Sequence, residues 1–423
     1  VGGSRTDQRE HEAGAIKYWD ASVDDARLVL TLVRTAAAYG ALAAPRTQLV
    51  ELTKSGLGRV NGAVIRDLET GEQRTVKATH VINATGVWTN ETERLAGVTP
   101  TTQVRPSKGV HLVVPKDRIH SDWALILPTE KSVLFVLPWA EQWIIGTTDT
   151  DWRFDLDHPA ATRTDAEYLL ERVNTTLVEP LTLDDVTAVY AGLRPLLGGD
   201  AKETAKMSRK HMVWRSAPGL VSIAGGKYTT YRLMARDAVD AAAHELPFAV
   251  DPSRSADQAL LGAVGLSGAG YRLSRHPGAA GLSPGQIDHL VARHGTMAME
   301  ILDLIAREPD MAAPLPGADK YVSAEVHYAV THEGALHIDD VLTRRTHVAF
   351  EAADRGALAA DAVARIMAPL LGWDVTTAER EAEHYRARLD AERAAQSMLD
   401  DETSNAARMA VRDLRVDASA ATG

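Results

Sequence analysis

The stretch Ala224-Gly225-Gly226-Lys227-Tyr228-Thr229-Thr230-Tyr231-Arg232 concentrates the residue types best suited to chemistry. An apolar run, Leu220–Ala224, ends at two glycines, and helical spacing resumes at two threonines. Glycine lets a backbone approach a ligand closely. A helix start offers free N–H groups and the positive end of its dipole. The threonine hydroxyls add donors, and Lys227 adds a cation. Such a site suits an anion, or a ring that gains negative charge on accepting a hydride, as a flavin does at its pyrimidine edge. A glycine-rich turn with a solvated lysine uses the same residues, so this spacing alone leaves both readings open.

Three further stretches carry polar groups at strand ends. Val81-Ile82-Asn83-Ala84-Thr85-Gly86, with Trp88 behind it, ends an apolar strand in small residues, which leave room for a cofactor over a sheet. Alone, it also describes a tight strand exit. Ala191-Gly192-Leu193-Arg194-Pro195-Leu196 sets one arginine after an apolar run, and Arg209 follows in Met207-Ser208-Arg209-Lys210-His211. Two arginines converging on a cleft would hold a phosphate by forked hydrogen bonds, while two solvated arginines are the ordinary alternative. Ile145-Gly146-Thr147-Thr148-Asp149 and Arg105-Pro106-Ser107-Lys108-Gly109-Val110-His111 supply either cleft groups or turn chemistry.

Other motifs fail on physical grounds. Gly281-Leu282-Ser283-Pro284-Gly285 has the nucleophile-elbow spacing, but Pro284 has no N–H for an oxyanion hole. Ser283 with Gln286 reads instead as a helix cap with proline at the first helical position. His332 and His337 are five apart, about 140° around a helix, so they cannot share a metal as i and i+4 residues do. His327 and His332 fail in the same way, and no metal site is expected. Asn90-Glu91-Thr92 is a glycosylation sequon without a visible secretion signal.

The elements that must position these groups follow from periodicity. A helix is expected over 22–40, capped by Ser22 with Asp25 in an acidic box and stopped at Gly40. Gln48–Leu52, Gly62–Leu68 and Gln73–Ala78 read as a meander, and His80–Ala84 as a short strand. Val110–Val114, Ala124–Leu127, Val133–Leu137 and Trp143–Gly146 read as an antiparallel sheet covering a substrate. A helix over 164–178 and strands at Val186–Leu193 and Leu220–Ala224 precede a helix from Thr229 to Leu246. The Pro-, Gly- and Ser-rich 248–280 stretch reads as a loose linker, and the Ala- and Arg-rich periodicity beyond it as a helical domain.

Composition bounds the rest. The 423 residues suffice for two or three cores. With 45% apolar and 24% charged residues, dominant disorder is excluded. The net charge of −11, with no basic stripe, argues against a nucleic-acid partner. Without cysteine there is no disulfide, thiolate metal site or thiol nucleophile. No apolar run approaches the roughly 18–20 residues of a membrane helix.

Taken together, the motifs resemble the FAD-dependent glycerol-3-phosphate dehydrogenase family of respiratory flavoenzymes. The matching stretches run in family order: 23–28, Asn83–Gly86 with Trp88, Lys108-Gly109 with His111, Pro138-Trp139, 146–149, 192–196, 225–232 and, in the helical part, Ile338–Thr346. The resemblance covers nearly the whole chain. It implies an α/β (α+β) fold: a doubly wound FAD-binding domain of the glutathione-reductase/D-amino-acid-oxidase type, an inserted antiparallel substrate domain and a C-terminal all-helical domain. The implied boundaries are 1–103 and 191–247 for the FAD domain, 104–190 for the substrate domain, 248–282 for a linker and 283–423 for the helical domain.

The resemblance further implies oxidation of sn-glycerol 3-phosphate to dihydroxyacetone phosphate, with FAD as cofactor and a quinone as electron acceptor. Arg194 and Arg209 would hold the phosphate, and Lys227 would sit by flavin and substrate oxygens. Ala84, Thr85, Gly86, Trp88, Gly225, Gly226, Thr229 and Thr230 would line the cofactor. A cytoplasmic location, peripheral contact with the inner face of the membrane and a homodimer are compatible with it. The family's opening Gly-x-Gly-x-x-Gly turn is absent, since Gly56-x-Gly58-x-x-Asn61 lacks the third glycine and lies between strands. The chain is therefore expected to be the rear portion of a longer flavoenzyme and to bind FAD weakly by itself. A truncated, non-catalytic member and an oxidase that uses oxygen are the alternatives.

Overall fold

The computed structural model describes residues 16–129, 133–198 and 210–414. Helix α1 (Asp25–Ala38) is capped by Asp24, whose carboxylate accepts from the Arg27 N–H at 2.9 Å. The cap expected at Ser22 is two residues early, because Asp24 is the extended residue whose oxygen reaches a free first-turn N–H. Strands β1 (Thr47–Lys54), β2 (Val60–Asp67) and β3 (Gln73–Lys77) form the expected antiparallel meander. β4 (Val81–Asn83) runs into a 3-10 turn, Gly86–Trp88, and then into helix α2 (Thr89–Leu95).

The largest sheet holds β5 (Val104–Pro115), β6 (Leu125–Pro128), β7 (Val133–Trp139), β8 (Gln142–Gly146) and β9 (Thr150–Asp151). Helix α3 (Arg163–Asn174) starts at a Thr162–Asp165 capping box, and β10 (Ala188–Leu197) completes the sheet. The order is β10-β5-β8-β7-β6, with β9 also on β5. Alternation fixes the two faces. Val110, Leu112 and Val114 of β5 share a core with Leu169, Leu170 and Val173 of α3. Ser107, Gly109 and His111 therefore face the opposite side. β10 pairs with β5 without a break from Ala188 to Leu197. A domain boundary at 190/191 would cut this strand, so Gly192 and Arg194 lie on the antiparallel sheet.

β11 (Met212–Ala217) and β12 (Leu220–Ala224) precede helix α4 (Tyr231–Ala243). β12 lies between β11 and β4, antiparallel to the first and parallel to the second, with Ser222 opposite Asn83. Every residue of β12 is buried, as its unbroken apolar run suggests. β11 shows no such run, since Arg215 interrupts it, and was not expected.

The C-terminal part comprises α5 (Ala269–Ser274), α6 (Pro284–His294), α7 (Ala298–Arg307), a hairpin of β13 (Pro314–Leu315) and β14 (Ala318–Val322), α8 (Ser323–Glu333), α9 (Val348–Glu351), α10 (Ala360–Leu371), α11 (Val375–Ser397) and α12 (Asp401–Met409). A π-helical turn, Asp340–Arg345, joins α8 to α9. Ser283 and Gln286 form the expected capping box, with Pro284 opening α6. The hairpin departs from the all-helical expectation. The 248–282 stretch departs from the loose-linker expectation: Ala269, Leu273 and Ala279 are buried with Ile301 and Leu302 of α7. Its many glycines hide a packed helix that begins after the left-handed Gly268.

Buried charges tie the helical part to the rest. Lys108, 1% exposed, bonds Asp165 of α3 at 2.6 Å and also Asp401 of α12. Asp24 accepts from His347 at 2.7 Å and from Arg293 at 3.2 Å. Arg27 pairs with Glu333 of α8.

Candidate active site

The parallel pair β4–β12 brings two of the predicted stretches side by side at its carboxyl ends, where open α/β sheets bind ligands. Asn83 organises the first exit. Its Nδ2 donates to the Thr89 carbonyl at 3.0 Å and to Ser222 Oγ at 3.1 Å, and its Oδ1 accepts from Thr85 Oγ1 at 2.7 Å. Gly86 then turns with φ 61°, and a Cβ there would have nothing within 4 Å. Ala84, Thr85 and Trp88 are exposed around that open space.

The second exit carries Gly225 and Gly226 at φ 76° and 86°, a left-handed pair that only glycine enters freely. Lys227 and Thr229 are exposed beside it. Thr230 Oγ1 donates to the Lys227 carbonyl at 2.9 Å, and helix α4 begins with no side chain capping its N–H groups. A 3-10 turn, Tyr228–Thr230, takes the leading N–H groups of Thr230 and Tyr231, so it is the open side of Gly86 and the Lys227 cation that fit an extended anionic ring system. Tyr228 donates to the Asp25 carbonyl at 3.0 Å, which anchors this turn to the start of α1.

A second cluster occupies the face of the large sheet opposite α3. Register places Tyr190 opposite His111, Gly192 opposite Gly109 and Arg194 opposite Ser107. The His111 and Tyr190 rings stack with centroids 4.9 Å apart. Arg194 lies across Gly109, donating from Nη2 to Thr147 Oγ1 at 3.1 Å and from Nη1 to the Thr148 carbonyl at 3.2 Å. Asp149 is 3.9 Å from Nη1 and accepts from Ser107 Oγ. Burial, aided by the Arg194 charge, lowers the His111 pKa to about 4, so its ring is neutral near pH 7. Burial, with the Asp25 charge, pushes the Tyr190 phenol up and keeps it protonated. Gly192 has open space where a Cβ would be.

The two clusters adjoin, because the Gly86–Trp88 turn packs on both β5 and β10, and β10 reaches β12. Thr147 and Thr148, open between cleft and turn chemistry in the sequence, both bond Arg194. Lys108 is an internal tie and not a cleft group. Arg209 lies outside the described residues. Gly109 and His111 lie in a stretch that the sequence left open between cleft groups and turn chemistry, and Tyr190 was not expected as a site residue. Their signal is an alternation, 109 and 111 on β5 against 190, 192 and 194 on β10, which becomes legible only once the register is known. Among the described residues, no group of His, Asp and Glu is placed to hold a metal ion.

Residues 3–232 match the model of the FAD dependent oxidoreductases, and residues 253–378 match the C-terminal domain of alpha-glycerophosphate oxidase. The glycerol-3-phosphate dehydrogenase of Mycobacterium leprae is 47% identical over 408 residues, 96% of this chain and 70% of that protein. The chain belongs to the FAD-dependent glycerol-3-phosphate dehydrogenase family. Glycerol-3-phosphate dehydrogenase 2 of Mycobacterium tuberculosis is also 47% identical, with 97% of this chain and 70% of that protein aligned. The glycerol-3-phosphate dehydrogenase of Bacillus halodurans, solved with FAD, superposes with a TM-score of 0.75 at 30% identity, covering 87% of this chain and 72% of that one. The family's fold is thus shared by the α/β part and the helical part alike. Among the described residues, no helix is long and apolar enough to cross a membrane.

Proposed function

We propose that the chain oxidises sn-glycerol 3-phosphate to dihydroxyacetone phosphate at the junction of the two clusters. The observation that carries this reading is the Arg194 guanidinium beside a neutral His111, over a floor of two paired glycines. Bound FAD would supply the hydride acceptor for oxidation at the substrate's C2. Ala84, Thr85, Gly86, Trp88, Gly225, Gly226, Thr229 and Thr230 would hold it, and Lys227 would face its electron-rich edge.

Arg194 offers a rigid fork to the phosphate, joined in this reading by Arg209. Gly109 gives the Arg194 guanidinium its room, and Gly192 leaves the open space that a three-carbon chain needs above the sheet. The His111 imidazole is neutral and can accept the C2 hydroxyl proton as the carbonyl forms. Stacking on Tyr190 fixes its ring plane. Lys227 would stabilise negative charge near the reacting oxygen. We place the acceptor as a quinone, on kinship alone; rates of quinone-analogue reduction against peroxide formation separate it from oxygen. Peripheral membrane contact and a homodimer rest on the same kinship.

The test is Arg194→Ala in the FAD-loaded protein. Loss of a forked phosphate partner raises KM strongly, with a smaller change in kcat. An unchanged KM removes Arg194 from the phosphate site and the reading with it.

A further inference from the structure

A cavity of about 310 Å³ borders this site at Tyr190, where the helical part meets the edge strand β10. Ala188 to Ala191 of β10 form one wall, and α11, α12 and the segment around Arg355 form the others. Three buried arginines line it: Arg355, Arg388 and Arg408, 8%, 5% and 8% exposed.

Their charges are unequally matched. Arg388 bonds Asp413 at 2.6 Å and His158 at 3.0 Å. Asp339, also on the wall, is taken by Arg344 at 2.6 Å. Arg408 and Arg355 share a single carboxylate, Glu392, at 2.9 Å from Arg408 Nη2 and 3.9 Å from Arg355 Nη1. The other acceptors around Arg355 are neutral: Gln396 Oε1 at 3.0 Å and the Thr187 carbonyl at 3.4 Å. Arg408 Nη1 is buried with no hydrogen-bond partner among the described residues. Asp157, the remaining wall carboxylate, is exposed at the rim. Among the described residues Glu392 is the carboxylate within ion-pair distance of these two enclosed guanidinium groups, with Asp339 and Asp413 acting on Arg408 from farther off, and burial lowers the pKa of both. A buried N–H donor and an unmatched charge are each costly unless a ligand meets them.

We propose that this cavity binds a compact tetrahedral oxyanion, inorganic phosphate, between the guanidinium groups of Arg355 and Arg408. Two forks call for more acceptor oxygens than one carboxylate offers, and Glu392 already supplies a carboxylate there. The bound anion satisfies Arg408 Nη1. It also braces the strand that carries Tyr190, Gly192 and Arg194, because Arg355 holds the carbonyl of Thr187, just before β10, and Gln396 holds that of Val189 within it.

The site stands independently of the proposed function. Equilibrium dialysis against radiolabelled phosphate tests it in the Arg194→Ala protein, which lacks the proposed substrate-phosphate fork. One phosphate per chain is expected to remain bound, displaced by sulfate and not by acetate. Arg408→Gln and Arg355→Gln, each added to that background, are expected to weaken binding by about tenfold or more. Amide exchange maps the site without either variant: phosphate is expected to slow exchange in β10 and α12. No phosphate bound to Arg194→Ala, equal displacement by acetate, or protection that bypasses β10 and α12 would each overturn the proposal.

Discussion

Gly109→Ala separates the position of Arg194 from its presence. A Cβ at residue 109 would stand 2.7 Å from Arg194 Nη2, 2.9 Å from Nη1 and 2.7 Å from Thr147 Oγ1. Such contacts relax at roughly 3.5 Å, so the guanidinium must withdraw by about 0.8 Å. The atoms met are the far ends of side chains, and the adjustment costs about 1 kcal/mol of rotamer strain. That lowers the melting temperature by only a few degrees, roughly 2–4 °C for a domain of this class. The functional cost is larger, because misplacing a substrate-holding group by about 1 Å costs up to about 100-fold in rate. We expect kcat/KM for glycerol 3-phosphate to fall about 10- to 100-fold, mostly through KM, as the fork and its bonds to Thr147 and Thr148 are lost together. Steady-state turnover of the FAD-loaded variant, run beside a thermal melt, measures both. Gly192→Ala is the comparison: it faces the same side, and nothing lies within 4 Å of its Cβ, so Arg194 keeps its place and any loss reports lost substrate space alone. An unchanged KM in Gly109→Ala with an unchanged melt would refute the reasoning. So would outright unfolding, which would make Gly109 a packing residue.

Three other outcomes are expected. His111→Asn should lower kcat about 100- to 10,000-fold, as loss of a general base does; because the His111 pKa is held down to about 4, the parent kcat/KM should lose activity to imidazole protonation only near that pH, and an acid limb at the ordinary histidine value would contradict the assignment. Lys108→Met leaves Asp165 and Asp401 facing a buried gap and should destabilise the fold by about 3–5 kcal/mol in urea unfolding, whereas a loss under about 1 kcal/mol would show that the tie is dispensable. His337 has its pKa raised to about 9: burial opposes the charge, but the hydrogen bonds to Glu381 and Glu69 prevail. The sign follows, since a raised folded pKa gives stability that is complete below the unfolded value of about 6.5 and is lost as pH rises through about 9. The free energy of urea unfolding should therefore fall across that window by up to about 3 kcal/mol, and His337→Gln should flatten the fall.

How much was legible in the sequence depends on whether the signal was local. The meander, β4, β12 and the Ser283–Gln286 cap depend on residues within a few positions of one another, and each appeared where its pattern placed it. The same holds for the glycine exits, because a left-handed turn after a buried strand is a property of one short segment. Non-local pairing was not legible. His111 and Tyr190 look like ordinary strand residues until the register of β5 and β10 sets their rings in a stack. Lys108 carried a motif position, but its two carboxylates come from α3 and α12, far along the chain. The buried helix at 269–274 was masked by composition, because glycine and serine around it serve caps and turns and not disorder.

Arg194 and Lys227 sit on different sheets, and nothing in their own segments fixes the distance between them. The Gly86–Trp88 turn does so. It leaves β4 beside β12, whose end carries Lys227, and it packs on β5 and β10, whose far face carries Arg194 and His111. Its shape is set from below by Asn83, which is 2% exposed and holds Thr85, Thr89 and Ser222 at once. A residue that contacts none of the proposed substrate groups thus governs the alignment of the cofactor half with the substrate half. Replacing it with an apolar side chain would take the amide donor from the Thr89 carbonyl and cut the ties to Thr85 and Ser222, so the turn would loosen and both halves would lose their register through one buried amide.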